Sequence, residues 1–323
     1  MAAFLLRRVG QGVAIVFLVT SLAFVLLHAA PGDPFAHLLE DARLSPEAIA
    51  NLRARHGLDR PLWVQYGRFL AGAVRGDFGL SFAHQRPVGA VLADALPNTL
   101  LLMGTALVLG FAGGIALGAA QGARPGSWLD RLTSPITLTI AALPDFWLAL
   151  LALVLFASTW RLFPVAGMTD PVVHRYLSAP QQVLDIARHL ALPAGTLAVI
   201  IGAAISRYQR AAVAEVLPEP FIRTARAKGI SARSVVFRHA LRNALLPIIT
   251  LAGLAVPALL GGAVFIETIF AWPGMGRLVV DAVQARDYPI VLAAVVLGST
   301  LVVVGGLLAD LLYAVADPRQ RRA

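Results

Sequence analysis

The chain contains no cysteine, a single lysine and few charges, and each scarcity removes a class of chemistry. Without Cys there is no disulfide, no thiolate metal site and no cysteine nucleophile. The one lysine, Lys228, stands in RAKGI, and GxxxxGK[ST] occurs nowhere, so the chain has no phosphate loop with which to hydrolyse ATP. HExxH and GxSxG are missing too, which leaves intramembrane hydrolysis without a metal motif or a nucleophile elbow. Only 14% of the 323 residues are charged, where a soluble domain carries about a quarter. Hydrophobic residues make up 58% and the mean hydropathy is +0.74, the composition of a bilayer protein.

What the chain does have is apolar length. Six stretches, near 9–29, 98–121, 133–157, 190–206, 244–268 and 289–314, approach the roughly 20 residues that cross a bilayer. Backbone groups in lipid must be satisfied within the segment, so all six are expected to be helices. The predicted fold class is all-α, a polytopic membrane protein with six transmembrane helices. The first stretch has Arg7 and Arg8 before it and Ala29-Ala30 after it, the outline of a signal peptide. Its apolar run of about 19 residues exceeds a usual h-region, and Pro31 follows at once, so it is expected to remain as an uncleaved anchor.

The net charge is +9, and 26 of the 27 basic residues are Arg. Nucleic acid could attract such a charge, but the arginines cluster between apolar runs, and membrane topology explains them better. Fifteen of the 27 fall in segments 1–8, 122–132, 207–243 and 315–323, which are about half as long as the alternate segments that hold the other twelve. Both termini are therefore expected to be cytoplasmic. Residues 31–97 are too many for a bare connection. LSPEAIANLRARHGL reads as a helix with Ser45 as N-cap, Pro46 in the first turn, Glu47 near the positive end and Gly57 as its stop. PLWVQYGRFLAGAVRG spaces Leu62, Tyr66, Phe69 and Val74 helically. This outer segment is either a cap packed on the spans or a docking surface for an extracytoplasmic partner, and the two are compatible.

Segment 207–243 carries eight basic residues against Glu215 and Glu219. Pro218 and Pro220 break the chain, Phe221 to Lys228 are good helix formers, and Gly229 ends them; a second helix is expected from about Ser231. Charge alone allows a positive-inside loop whose arginines meet anionic lipid. In the third stretch Asp145 falls near the middle, after Pro144 and before Phe146 and Trp147. A carboxylate there costs about 2.5–3.5 kcal/mol on insertion scales, enough to turn it from lipid. It either lines a watery path through the membrane or makes a structural hydrogen bond or a pair with a neighbouring chain. Phe146 and Trp147 read as packing residues, with a clamp on a solute as the alternative. Glu267 and Asp310, near span ends, are expected to reach water. Gly110, Gly114 and Gly118 make a face of close approach, for packing within the chain or at a subunit interface.

The string TARAKG, residues 224–229, followed by RHALRNALLP, residues 238–247, resembles the cytoplasmic loop of permease subunits of binding-protein-dependent ABC importers. That loop reads Glu-Ala-Ala, three residues, Gly, nine residues, Ile-x-Leu-Pro. Gly229 matches the Gly, Ala225 the second Ala and Leu241 the Leu; Arg223, Thr224, His239 and Arg242 depart from it. APGDPF, GDFGLSF, LPDFWLALL, FAWPGMGRL, RDYP and DPRQR, in order along the chain, resemble the B-type permease of the dipeptide, oligopeptide and nickel importers. The resemblance implies one type I importer transmembrane domain over 1–323, with 31–97 as a folded helical extracytoplasmic loop and 207–243 as a cytoplasmic coupling loop. It implies a coupling helix seated on an ATPase, with contacts among Phe221, Arg223, Thr224, Ala225, Arg226, Lys228, Gly229, Ser231 and Ser234. It implies a multi-pass protein of the bacterial inner membrane that binds no cofactor itself, ATP and Mg being used by partner subunits. The partners would be a second homologous permease, two cytoplasmic ATPase subunits, an extracytoplasmic solute-binding protein and membrane lipid, with no nucleic acid. The implied cargo is a di- or oligopeptide, while nickel chelates, haem and glycosides travel through permeases with the same strings. An ion-coupled secondary transporter is the rival; one central Asp and no evident inverted repeat argue against it.

Overall fold

The computed structural model describes residues 2–32, 34, 45–255 and 263–316. Parts of APGDPF, residues 256–262 of the fifth apolar stretch, DPRQR and the side chain of Asp310 lie outside the described residues. Among the described residues the regular elements are helices, joined by one isolated antiparallel bridge between Leu80 and Pro87. They are α1 (Ala2–Ala29), α2 (Pro46–Arg55), α3 (Leu62–Arg75), α4 (Val88–Ala123), α5 (Trp128–Ala142), and α6 (Asp145–Ala152), which continues as a π-helix through Thr159. Then come α7 (Ala179–Val216), α8 (Pro220–Ala227), α9 (Ala232–Ser234), a π-helical stretch (Val235–Ala240), α10 (Leu241–Ala244), α11 (Leu246–Ala255), α12 (Val264–Ile269), α13 (Met275–Gln284) and α14 (Tyr288–Ala316). Among the described residues four helices are long and apolar enough to cross a membrane, and two bent pairs bring the number to as many as six.

Prolines explain where the spans depart from expectation. The stretches expected at 98–121 and 190–206 are parts of far longer helices, α4 and α7, which run through Pro97 and Pro193. An interior proline forfeits one backbone bond, but in lipid any non-helical alternative strands more groups than that. The third stretch does break. Leu143, ahead of Pro144, is extended (φ −82°, ψ 144°), the conformation a following proline favours, and the chain turns by 110° between α5 and the helix after it. Each arm has 15 residues, about 22 Å, too short to cross alone. Asp145 therefore sits in the first turn of α6, not mid-span, where the helix dipole favours a carboxylate.

The chain forms two compact units, 1–98 with 274–323, and 99–273. In the first, α1 lies along α14 so closely that a Cβ on Gly12 would come within 2.3 Å of Val303. Val88, Val91 and Leu92 of α4 pack with Met275, Ala282, Ile290 and Val291. The helices of segment 45–75 form as read: Ser45 Oγ accepts the Ala48 N–H, and Gly57 leaves α2 with φ +69°. GDFGLSF and RDYP meet here. The buried Asp287 carboxylate accepts the Ser81 hydroxyl and the Ala83 N–H (3.0 Å), and its other oxygen faces the Ile290 N–H (3.4 Å) at the start of α14. One side chain thus caps α14 and ties down a turn about two hundred residues earlier. Close by, burial pushes the His56 imidazole below its usual range, against an opposing pull from Asp287.

The second unit is built on a ladder of small residues. A Cβ on Gly110, Gly114, Gly118 or Gly122 would lie within 3.0 Å of α7, against Ile201, Ile205, the Ser206 carbonyl (2.3 Å) and the Arg210 carbonyl (2.6 Å). Of the two uses open to this face, packing within the chain is the one observed. Beside it, Leu102, Met103, Leu192, Leu197, Ile266, Phe270 and Trp272 form the core. Glu267 is buried rather than wet: it accepts the Thr99 hydroxyl at 2.9 Å, and neither residue has exposed surface. The span end was the wrong guide, because α12 is covered by neighbours where a lone helix would meet water.

Gly118→Leu should force α4 off α7 and cost several kcal/mol of the order seen for core overpacking, about 1–3. Gly104→Ala, at a position where a Cβ meets nothing, should be neutral or slightly stabilising. Thermal unfolding in detergent, followed by size-exclusion chromatography, separates the two.

Candidate functional site

The basic segment after α7 folds by its own local signals. Pro220 opens α8 at its first position, where a missing N–H is harmless. Gly229, at φ +78°, ends it, donating to the Arg226 carbonyl, while Ile230 N–H reaches the Ala225 carbonyl. Ser231 then caps α9, its hydroxyl accepting the Ser234 N–H at 3.4 Å. The result is a short helix, a left-handed turn and a second helix that widens into a π-helical stretch over Val235–Ala240.

The two faces of α8 differ sharply. Ile222 and Ala225 are buried against Val235 and Ala240, with Val216, Leu217 and Ile230 closing the cluster. Phe221, Arg223, Thr224, Arg226, Lys228 and Gly229 are exposed, as is Ser231, while Ser234 is half-buried. Arg223 and Thr224 also brace the helix start, donating to the Pro218 and Pro220 carbonyls. Ala225 therefore faces the protein's own core, unlike the other candidate contact residues. It matters as a small side chain that lets α8 lie flat on the helix behind it. Arg226 and Lys228 carry no ion pair among the described residues. A second small cluster, Ala119, Val213 and Ala244, joins this platform to α4 and α7.

Asp145, Phe146 and Trp147 are exposed at the start of α6, and Phe146 packs its ring 5.9 Å from that of Phe265. Among the described residues Asp145 makes no hydrogen bond or ion pair, so the intrachain reading of its role finds no partner. Sequence reasoning missed a different acid. Asp130, at the start of α5, is buried and fully satisfied. Arg210 of α7 forks onto it (Nε to Oδ1 2.7 Å, Nη2 to Oδ2 3.0 Å), Ser134 donates to Oδ1 and the Gly126 N–H to Oδ2. An acid and an arginine each placed at the edge of an apolar stretch was the available signal, but a separation of 80 positions hid the pairing. Among the described residues no group of three or more His, Cys, Asp or Glu could hold a metal ion.

Apolar helices of spanning length and an exposed cationic elbow are the features to set beside known proteins. Residues 110–322 match the family model for the binding-protein-dependent transport system inner membrane component, and residues 1–103 match its N-terminal companion. The chain belongs to that family of transport permeases. It is 40% identical over 320 residues to the oligopeptide transport system permease protein AppB of Bacillus subtilis, covering 99% of both chains. It is 38% identical over 336 residues to the dipeptide transport system permease protein DppB of Escherichia coli K12, again over 99% of each. The di/tripeptide permease DppB of Pseudomonas aeruginosa matches at 38% over 333 residues. The permease is thus a non-catalytic inner-membrane component of an ABC importer, and ATP hydrolysis falls to partner ATPases. Nothing in these matches favours an ion-coupled transporter.

The Asp130–Arg210 fork joins α5 to the end of α7 that carries the platform. Breaking a fully buried pair costs about 3–5 kcal/mol; with Arg210 partly exposed, about 2–3 is expected for Asp130→Asn. The variant should melt several degrees below the parent in detergent, and an equal melting temperature would show the fork to be dispensable.

Proposed function

We propose that this permease carries di- or oligopeptides inward, with a second homologous permease, two cytoplasmic ATPase subunits and an extracytoplasmic solute-binding protein. The cargo reading draws on the printed names of the peptide permeases it is similar to along its whole length. Residues 1–323 act as one transmembrane domain with both termini cytoplasmic, 31–97 facing the binding protein and 207–243 facing the ATPases. Of that inner segment, 207–216 is the end of α7, so the separate coupling element begins at Leu217.

The observation that carries the coupling role is the division of α8. Its apolar face is fastened to the permease, and its other face offers Phe221, Arg223, Arg226 and Lys228 to a partner. Fastening lets force pass from a seated helix into α7 and α10. The exposed cations suit acidic groups on an ATPase, and differential affinity between two states of a few kcal/mol would bias the gate. Asp145, Phe146 and Trp147 are proposed to line the pathway, with the carboxylate placed to meet a peptide ammonium.

Gly229→Pro removes a φ that proline cannot adopt, and Arg226→Glu reverses a contact charge. Both should abolish ATP-driven peptide uptake in proteoliposomes containing the full importer while ATPase activity persists and the chain still inserts. Coupled, vanadate-sensitive uptake at the parental rate in both variants would overturn the assignment. Topology has its own check, made clean by the absence of native cysteine. Lys228→Cys should react with an impermeant maleimide only from the cytoplasmic side, and Arg55→Cys only from outside.

A further inference from the structure

Two arginines outside the functions described share one cavity. Arg161 lies just past the helix that ends at Thr159, and Arg188 lies two residues before the apolar stretch 190–206. They line one cavity of about 600 Å³ whose other walls include Leu162, Phe163, Leu184 and Ala191. Both arginines are exposed, and among the described residues neither makes a hydrogen bond or an ion pair. The acids near them are engaged elsewhere. Asp185, one turn before Arg188, accepts His174 Nδ1 at 2.7 Å and the Asp170 N–H at 3.0 Å, with His189 Nδ1 3.2 Å from its other oxygen. Asp170 accepts the N–H groups of Val172 and Val173. The surroundings are apolar and open: Trp160 is 57% exposed, Leu162 64% and Val183 67%.

A site for a free anion would be polar throughout, and a site for an acidic protein loop would not set its cations against exposed leucine, valine and tryptophan. Cations over an apolar wall, beside an exposed Trp at a span end, match the interfacial layer of a bilayer. A guanidinium fork also fits phosphate oxygens better than a point charge does. We propose that this cavity binds an anionic phospholipid, with Arg161 and Arg188 on the headgroup phosphate and Leu162, Phe163 and Leu184 against the first methylenes of an acyl chain. The stretch of α7 from Arg188 to Val216 spans about 42 Å, more than the roughly 30 Å hydrocarbon core. The lipid would thus belong to the leaflet opposite the coupling segment, away from the inner-face arginines already assigned to topology.

The test uses the full chain purified in detergent and native mass spectrometry with phosphatidylglycerol and phosphatidylcholine of identical chains. The parent should retain one phosphatidylglycerol about tenfold more strongly than phosphatidylcholine. Arg161→Gln with Arg188→Gln should lose that preference, and Ala187→Trp, which fills the cavity and keeps both charges, should lower retention of both lipids. All three positions are exposed, so folding is expected to survive, and size-exclusion profiles check it. Equal retention of the two lipids by the parent, or unchanged preference in the double variant, would sink the proposal. Displacement of the lipid by millimolar inorganic phosphate would also sink it, by assigning the site to a free anion. So would a double variant that keeps its phosphatidylglycerol preference but no longer crosslinks to the solute-binding protein. No cargo or ATPase enters the measurement, so its failure leaves the transport reading intact.

Discussion

The second unit rests on the contact between α4 and α7. Lipid chains are as apolar as leucine, so a membrane bundle gains little by hiding hydrophobic surface and depends on close packing instead. Gly110, Gly114, Gly118 and Gly122 bring α4 against the carbonyls of α7, a distance no side chain would permit. Ala119 and Val213 extend that contact toward Ala244, where the platform begins. The Asp130–Arg210 fork fixes the same end of α7 from the side of α5. Removing the close approach would leave the fork and the platform without a common frame.

That frame gives the basic elbow its meaning. A cationic loop on an inner membrane face could be a topology signal and nothing more. A helix with one face pinned by Ile222 and Ala225 and the other left bare is a different object, because a push on the bare face would be delivered to the helices behind it. The π-helical stretch over Val235–Ala240 lies directly in that route, and such widened turns recur at functional positions in helices.

Much of this was readable in one sequence. The apolar stretches, the cap at Ser45, the left-handed exit at Gly57 and the helix–Gly229–Ser231 elbow all follow from local chemistry, and local chemistry is what a lone sequence records. Errors arose where the outcome depended on a neighbour. Nothing within five residues of Pro97, Pro144 or Pro193 says that two are absorbed and one breaks the chain. Glu267 looked wet because it lies near the end of an apolar stretch, yet Thr99, 168 residues away, holds it in the core. Ala225 matched a pattern as a contact residue and is buried. Ser81 and Asp287 sit in two strings that resemblance alone had marked; their hydrogen bond supplies a physical reason for both.

The continuity of α7 has one more consequence. Thirty-eight residues without a break make a rod about 57 Å long. A rod of that length, rocked by about 10° at the end nearest α8, carries its opposite tip through roughly 10 Å by simple leverage. Pro193 lies inside the shaft without severing it, so a small angular input need not be dissipated as local bending. A small tilt at one end of the shaft thus becomes a displacement of several ångströms at the other.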